Sequence, residues 1–342
     1  MANPTVRDIA QRAGVSASTV SRALNGYPYV DEETRLSIQK AVKELGYPLT
    51  SLRKSQQTSR NIMLLSGFEE LVFSKNQNLI MRELVREFWR GARTIFQNAN
   101  YNVTVQHFTP HSAELQRRLK SEKIDGLMLA GGVIEESFIE ELEVNDVPLV
   151  VTGSFLKTRK LDYVVADIGD GMDQIVTHLA ATGRKNIALV NGPANNNASE
   201  QKYNGLVLAL HLHGLEIRKE WMSNSEIFME TGYQRTLELI NRFPGLDAIV
   251  YGDDTLAVGG IRALKECGKK VPQDVAVVGF YDYEIARFTD PPLTSLRLDQ
   301  RQIGHMAAQR MILLVEAKPA DRQPWLMLAP THLIVRQSSQ PS

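Results

Sequence analysis

Hydrophobic and polar positions divide the chain into a short, purely helical segment and a longer segment in which strands and helices alternate. After about residue 60, short apolar runs such as Ile62–Leu65 and Gly126–Ala130 are followed by amphipathic stretches such as Glu83–Gln97. Short apolar strands that alternate with helices favour parallel sheets covered on both faces. Such units are more numerous than one sheet comfortably holds, so the pattern predicts an α/β core of two doubly wound parallel-sheet lobes.

The remaining core elements follow from the same alternation. Further strands are predicted over Val103–His107, Leu149–Thr152, Val164–Ala166, Ile187–Val190, Ala248–Tyr251 and Val275–Val278. Further helices are predicted over Ala113–Lys120, Gly171–Ala181, Ser199–His211, Gly232–Arg242 and Thr255–Cys267.

The N-terminal segment, residues 1–48, shows the helical periodicity of three short helices. Thr5 followed by Asp8 has the spacing of a capping box, and Ser16 and Asp31 are candidate caps of the second and third helices. Gly14 permits a tight turn after the first helix, so the first two helices match the spacing of a helix-turn-helix. The apolar faces are expected to comprise Ile9, Ala10, Ala13, Val20, Ala23, Leu24, Leu36, Ala41, Val42 and Leu45.

Residues 49–60 are polar and basic and lack a continuous apolar face. Their composition favours a solvated linker, and the alternative is a hinge that orders only against nucleic acid. The sequence therefore predicts a headpiece over residues 1–48, a hinge over 49–60 and a core over 61–342.

The charge distribution supports this division. The whole chain carries 39 Lys/Arg and 39 Asp/Glu, but residues 1–60 hold nine basic and five acidic side chains, a net charge of +4. The remainder carries −4. A basic headpiece on an acidic core indicates a nucleic-acid contact at the N-terminus. Because each headpiece has few basic residues, one copy should bind DNA weakly, and two copies are needed.

Composition and motifs argue against several other classes of protein. Cys267 is the only cysteine, so neither an intrachain disulfide nor a cysteine-based zinc site is possible, and this residue is expected to pack near a helix end. The seven histidines form no HExxH pair, and neither a Walker A motif nor a GxSxG elbow occurs. We therefore expect no catalytic residue, metal or cofactor. With no long apolar run and no N-terminal signal pattern, we expect a cytoplasmic protein without a membrane partner.

The second helix of the headpiece has the side chains of a recognition helix. Such a helix presents short or hydrogen-bonding residues near its N-terminus, as Ala17, Ser18 and Ser21 do here, while Thr19 can contact phosphates. Arg22 can bind a guanine through two hydrogen bonds. The alternative is a generic three-helix bundle in which Arg22 is an ordinary solvated residue.

The run from Thr5 to Asn25, TVRDIAQRAGVSASTVSRALN, closely resembles the headpiece of the LacI/GalR (lactose-repressor) family. Three later segments, GRKNIA at 183–188, VPQDVAVVGF at 271–280 and PPLTSL at 291–296, match the family in the same order. The resemblance implies a homodimeric transcriptional regulator whose core has the type I periplasmic-binding-protein-like fold. A small effector, usually a sugar or related metabolite, would bind between the lobes, and paired headpieces would bind a pseudo-palindromic operator.

The resemblance also implies three crossings between the lobes, which we place near Leu161, Leu293 and Arg322. The N-lobe would then comprise about 61–161 and 294–322, and the C-lobe about 162–293 and 323–340.

The hinge departs from the family pattern. Gln56 stands where relatives usually carry a leucine that wedges into the minor groove, and Leu49 replaces the hinge proline. Glutamine is a poorer wedge than leucine, although Leu52 can substitute by a register shift. We hypothesise that this protein bends its operator less than its relatives do. The resemblance and the recognition-helix pattern together place these residues at DNA: Thr5, Arg7, Ser16, Ala17, Ser18, Thr19, Ser21, Arg22, Asn25, Tyr29, Thr34, Leu52, Arg53, Lys54 and Gln56.

The effector cleft departs from the family too. Lys202 replaces an arginine, the Asp253-Asp254 pair replaces Asn-Asp, Tyr281 replaces a sugar-binding carboxylate, and Leu298 replaces a glutamine. Asp253 suits sugar hydroxyls, Tyr281 can stack or donate a hydrogen bond, and Lys202 can pair with an anionic ligand or with Asp253. For each, a packing function is the alternative. The expected effector-binding residues are Ser66, Phe68, Ser154, Lys202, Ile227, Asp253 and Tyr281.

Together these features predict a sequence-specific DNA-binding repressor whose operator affinity is controlled by a sugar-like effector. One alternative is a periplasmic-type solute-binding protein, which would need an export signal. The other is a sugar-modifying enzyme on the same scaffold, which would need an acid–base pair.

Overall fold

A computed structural model describes residues 4–24, 30–47, 60–66, 79–107, 111–131, 136–143, 147–153, 155–156 and 160–340. The chain forms two compact units, Met1–Arg60 and Asn61–Ser342, and each is described by itself. Several predicted contact residues lie outside the described residues: Asn25, Tyr29, Leu52, Arg53, Lys54, Gln56, Phe68 and Ser154.

The headpiece contains helices α1 (Val6–Ala13), α2 (Ala17–Leu24) and α3 (Glu32–Glu44). The predicted capping box is present: the Asp8 carboxylate accepts the Thr5 N–H at 2.6 Å, and the Thr5 side chain accepts the Asp8 N–H. Asp31 caps α3 by accepting the Thr34 N–H at 2.8 Å. Gly14 ends α1 at φ 68°, a left-handed conformation that glycine adopts without strain, which allows the turn into α2.

The headpiece core is built around three fully buried side chains, Ile9, Val20 and Ile38. The prediction for Leu36 is wrong, because this side chain is 60% exposed. Ile38 shares one face of α3 with Ala41, Val42 and Leu45, which follow it by three, four and seven residues. Leu36 lies on the far side of the helix.

The N-lobe is a wholly parallel six-stranded sheet in the order β11-β5-β4-β3-β1-β2. Its strands are β1 (Asn61–Ser66), β2 (Asn102–His107), β3 (Gly126–Ala130), β4 (Leu149–Thr152), β5 (Asp162–Ala166) and β11 (Leu326–Ala329). Its helices are α4 (Leu79–Asn98), α5 (Ala113–Ser121), α6 (Glu136–Glu143) and α11 (Gln300–Glu316). Ile62 and Leu64 pack with α4 and α11, whereas Met63 and Leu65 pack with α5 and α6, so helices cover both faces.

The C-lobe is a second six-stranded sheet in the order β12-β10-β9-β8-β6-β7. Its strands are β6 (Ile187–Asn191), β7 (Met222–Asn224), β8 (Ala248–Tyr251), β9 (Ala276–Phe280), β10 (Thr294–Leu298) and β12 (Thr331–Ile334). Its helices are α7 (Ile168–Ala181), α8 (Asn197–Leu212), α9 (Met229–Arg242) and α10 (Asp254–Glu266), with α7 and α8 on one face and α9 and α10 on the other. The edge strand β12 runs antiparallel to β10.

The three crossings between lobes lie further along the chain than the sequence analysis placed them. The first crossing was expected near Leu161. It lies after β5 instead, because residues 162–166 still pair with β4 and β11 in the N-lobe sheet. The crossing expected near Leu293 follows β10, which pairs with β9 in the C-lobe. The crossing expected near Arg322 falls at Pro330, between β11 in one sheet and β12 in the other. In each case the chain completes a strand before it leaves the lobe.

These crossings determine how the two sheets face each other. Strands β5 and β11 leave the N-lobe at their carboxyl ends, and β10 leaves the C-lobe at its carboxyl end. The carboxyl edges of both parallel sheets therefore face the junction between the lobes. Open α/β sheets bind ligands beyond the carboxyl ends of their strands, so this junction is where a ligand is expected.

Candidate DNA-binding and effector sites

The first turn of α2 presents a compact group of hydroxyl side chains. The Ser16 Oγ atom accepts the Thr19 N–H at 3.0 Å and lies 2.7 Å from the hydroxyl oxygens of both Ser18 and Thr19. Ser16, Ala17 and Ser18 are exposed, while Thr19 and Ser21 are half-buried. This turn therefore offers short polar groups at the position from which a recognition helix contacts base edges.

The arginines of the headpiece differ in their partners. Arg12 is bound to Glu44 by two contacts of 2.7 and 2.8 Å, which join α1 to α3. Arg7 and Arg22 are exposed, and within the described part of the headpiece neither is seen in an ion pair. Their guanidinium groups can bind phosphate or base acceptors without first breaking a contact. Thr5 and Thr34 both take part in helix caps.

On the C-lobe, Asp253 lies two residues after the end of β8 and caps α10. Its Oδ1 atom accepts the Thr255 N–H at 2.7 Å, and its Oδ2 atom accepts the Tyr283 hydroxyl at 3.2 Å. The side chain is almost completely buried, and this burial raises its pKa, although the Thr255 hydrogen bond opposes the shift. Each carboxylate oxygen can accept a second hydrogen bond, so Asp253 can also accept one from a ligand.

Asp254 was not among the predicted effector residues, although the Asp253-Asp254 pair was noted as a departure. Its Oδ1 atom accepts the Ser295 hydroxyl and its Oδ2 atom accepts the Tyr283 N–H, each at 2.7 Å. A Cβ atom on Gly279 would lie 2.0 Å from Asp254 Oδ1, so only glycine at position 279 leaves room for this carboxyl. Asp254 therefore links α10 to β10 and to the turn after β9.

We expect an Asp254→Asn variant to have a core whose stability depends less on pH. Burial raises the pKa of Asp254 well above 3.8, so the folded protein keeps a proton there that the unfolded chain loses. The resulting stabilisation is complete below pH 3.8 and is lost as the pH rises through the higher pKa of the folded state. In urea unfolding at several pH values, the free energy of unfolding of the wild type should include this loss of stability with rising pH. The variant should not show the loss. Identical pH profiles would contradict the prediction.

Lys202 and Tyr281 meet at the carboxyl edge of the C-lobe sheet. The Lys202 Nζ atom donates to the Gly252 carbonyl oxygen at 2.6 Å and to the Tyr281 hydroxyl at 3.2 Å. It also lies 4.4 Å from the centre of the Phe280 ring and 4.7 Å from that of Tyr281. Lys202 is not seen in an ion pair with Asp253, which was one of its two expected partners.

The turn after β9 has an unusual backbone conformation. Tyr281 and Asp282 have φ angles of 97° and 52°, a region that non-glycine residues rarely adopt. The Tyr281 N–H donates to the Leu296 carbonyl at 2.7 Å, and the Asp282 carboxylate is bound by Arg297 and Arg336. Strained backbone that is held this firmly concentrates at functional sites, which supports a functional assignment for Tyr281.

The other predicted effector residues divide between edge and core. Ser66 ends β1, at the carboxyl edge of the N-lobe sheet. Ile227 is half-buried against the core formed with α9 and α10. Leu298, which was noted as a departure from the family but not predicted to bind the effector, is buried among α7 and α8 and packs the C-lobe. The carboxyl edge of the C-lobe also includes Tyr283, which the sequence analysis missed because only the fold brings its hydroxyl to Asp253.

Other candidate features lie elsewhere. Cys267 is exposed and is not the packing residue that was expected, because it ends α10 at the surface just before Gly268. A cavity of about 440 Å³ between α11 and β11 contains none of the predicted effector residues. The described residues contain no cluster of three metal-ligating side chains. Within the same ranges, none of the helices combines the length and the apolar character that a membrane span requires.

Comparison with known proteins agrees with this architecture. The model for bacterial regulatory proteins of the lacI family matches residues 5–48, and the model for a periplasmic binding protein-like domain matches residues 176–339. The HTH-type transcriptional regulator MalR of Streptomyces coelicolor is 30% identical over 345 residues, covering 97% of this chain and 95% of the relative. CelR of Thermobifida fusca, also an HTH-type transcriptional regulator, is 28% identical over 341 residues, covering 98% of each.

Among solved structures, a transcriptional regulator CelR–cellobiose complex matches with a TM-score of 0.71 and 26% identity, covering 98% of this chain and 99% of that chain. A two-lobed core with a helix-turn-helix headpiece defines a DNA-binding regulator rather than an enzyme. The chain belongs to the LacI family of bacterial transcriptional regulators.

Proposed function

We propose that this protein is a dimeric repressor that binds a pseudo-palindromic operator. Its affinity for the operator falls or rises when a sugar-like effector binds between the core lobes. The observation that carries the proposal is the combination, in one chain, of the exposed first turn of α2 with a core whose two carboxyl edges face one junction. The first feature suits base contacts in the major groove, and the second suits a small ligand.

The proposed DNA contacts include the hydroxyl group at Ser16, Ser18 and Thr19, and the exposed arginines Arg7 and Arg22. Short side chains let α2 approach base edges closely, while arginine binds guanine through two hydrogen bonds. Each headpiece supplies few such contacts, so two must act together on half-sites spaced by whole helical turns. The remaining residues predicted at DNA, including the hinge group from Leu52 to Gln56, keep that assignment as part of the proposal.

The proposed control by effector depends on the three crossings at Asp167, Asp299 and Pro330. A ligand that contacts both carboxyl edges binds one closure angle of the lobes better than others, and it shifts the population toward that angle. The crossings are the covalent connections that must bend when the angle changes. The similarity to a solved complex of a transcriptional regulator CelR with cellobiose supports a sugar as the class of ligand.

Selection from random double-stranded DNA with the full chain tests the proposal. We expect enriched sequences with two inverted half-sites, and we expect a duplex with a single half-site to bind at least about 100-fold more weakly because avidity is lost. Titration of the selected complex with a panel of mono- and disaccharides should identify a sugar that changes its affinity. Selection without any enriched sequence would contradict DNA recognition, and equal binding of single and double half-sites would contradict the dimer.

A further inference from the structure

Lys202 is a buried cation that is not seen in an ion pair within the described part of the core. The residue is 2% exposed, and its Nζ atom donates to the Gly252 carbonyl and to the Tyr281 hydroxyl. Lysine is almost never buried to this extent unless it is paired, because removing an ammonium group from water is costly. The two neutral acceptors satisfy part of its hydrogen-bonding capacity but supply no counter-charge.

The neighbouring carboxyl groups are already used in other contacts. Asp253 accepts hydrogen bonds from Thr255 and Tyr283, and Asp254 accepts them from Ser295 and Tyr283. Burial is the main cause that raises the pKa of both groups and so disfavours a negative charge on either, although the nearby Lys202 charge opposes this shift at Asp253. The rings of Phe280 and Tyr281 offset the ammonium charge through their faces, a weaker interaction than an ion pair.

The hydrogen bond from Lys202 also determines how the Tyr281 hydroxyl can interact with a ligand. Lysine has donors only, so the Tyr281 oxygen accepts from Lys202 and its own proton is available to another acceptor. The Tyr281 ring stacks on Tyr283, with centroids 5.3 Å apart and planes 12° apart, so that face is closed to a ligand. Of the two functions considered for Tyr281, the geometry therefore favours hydrogen-bond donation over stacking.

We propose that the effector is an acidic sugar, whose carboxylate or phosphate group supplies the counter-charge of Lys202 and accepts the Tyr281 hydroxyl. The inference rests on the proposed function, because it assumes that the effector binds at the carboxyl edge of the C-lobe. It extends that function by specifying the charge of the ligand and the side chains that select for it.

Calorimetric and thermal-shift titration of the full chain with matched probes tests the inference. The probes are D-glucose, D-glucuronate and D-glucose 6-phosphate, with the corresponding galactose series. We expect an acidic member to raise the melting temperature and its neutral partner to have a much smaller effect. The uronate and phosphate arms identify which anionic group the site prefers. The inference is overturned if neutral sugars bind as tightly as their acidic partners, or if no acidic sugar binds.

Variants of Lys202 and Tyr281 test how much each side chain contributes to the affinity for the acidic sugar. Lys202→Met should raise the Kd of the acidic sugar by more than about 30-fold, since one partner of a buried charge pair is removed. Lys202→Arg should retain most of the affinity, and Tyr281→Phe should weaken binding by about tenfold. Lys265→Met removes an exposed lysine of α10 and should change nothing. If Lys202→Met does not fold, the affinities of Lys202→Gln and Tyr281→Phe are measured instead. Unaltered affinity for the acidic sugar in these variants would overturn the inference.

Operator binding separates this inference from the proposed function. An acidic sugar that binds through Lys202 without changing operator affinity would leave the inference standing and contradict effector control. A neutral sugar that changes operator affinity, while acidic sugars do not bind, would support effector control and overturn the inference.

Discussion

Replacing Arg22 with alanine is expected to weaken binding to the selected operator by about 1–3 kcal/mol, or roughly 5- to 150-fold. Arg22 lies in the last turn of α2, is exposed, and is not seen in an ion pair within the described headpiece. Its loss should therefore leave the headpiece folded, since Val20 and Ala23, not Arg22, form the buried face of α2. The effect should be specific for sequence, because a bidentate arginine contact distinguishes guanine from the other bases.

Fluorescence anisotropy at one fixed salt concentration measures this effect, with operator and scrambled duplexes compared side by side. Lys40→Ala is the matched control, since it removes one exposed positive charge from α3 at a residue that is not a predicted DNA contact. We expect the control to lower affinity for both duplexes slightly and equally, because it changes only the general attraction to phosphate. Arg22→Ala binding that is unchanged, or reduced equally on both duplexes, would contradict base recognition by Arg22.

The second large effect is expected in the N-lobe, where Arg310→Leu should lower the free energy of unfolding of the core by about 3–5 kcal/mol. The Arg310 Nε atom lies 2.6 Å from Asp162 Oδ1, and the two side chains are only 7% and 10% exposed. The guanidinium group also lies 4.0 Å from the centre of the Trp325 ring. Leucine would leave the Asp162 carboxylate buried without its counter-charge, and this uncompensated charge is the source of the loss.

Urea unfolding of the core at neutral pH measures this loss. The double variant Asp162→Asn, Arg310→Leu removes both charges and should recover most of the stability. Arg262→Ala breaks a pair with Glu266 whose side chains are 66% and 47% exposed, and we expect no measurable change. If the single variant is as stable as the wild type, the buried pair does not stabilise the fold as proposed.

Much of the fold was predictable because its signals are local. The helix caps at Thr5 and Asp31 depend on side chains within three residues of the groups they bind. The predicted strand Gly126–Ala130 matches β3, because a buried parallel strand is apolar along its whole length. Strands β7, β10, β11 and β12 were not predicted. β11 is apolar along its whole length as well, but it is only four residues long, and Leu326 and Leu328 are about half exposed because the strand lies at the edge of the sheet.

The candidate sites were predictable to different degrees for the same reason. Ala17, Ser18 and Arg22 lie on one helix and Ser16 directly precedes it, so the spacing of that helix determines what they present. The effector region depends on contacts between distant positions. Lys202 meets Tyr281 across 79 residues, and Asp254 meets Ser295 across 41. No pattern within a single helix or strand indicates such pairs.

The sequence by itself determined the helix-turn-helix, the alternation of strands and helices, and the separation of a basic headpiece from an acidic core. These properties follow from residues that are neighbours along the chain, where spacing and capping act directly. The tertiary structure alone decided where the chain crosses between the lobes and that Lys202 lies buried, with no carboxylate of the described residues at ion-pair distance. Both depend on which distant strands pair in the two sheets, since sheet pairing sets which side chains share the junction and which charges meet.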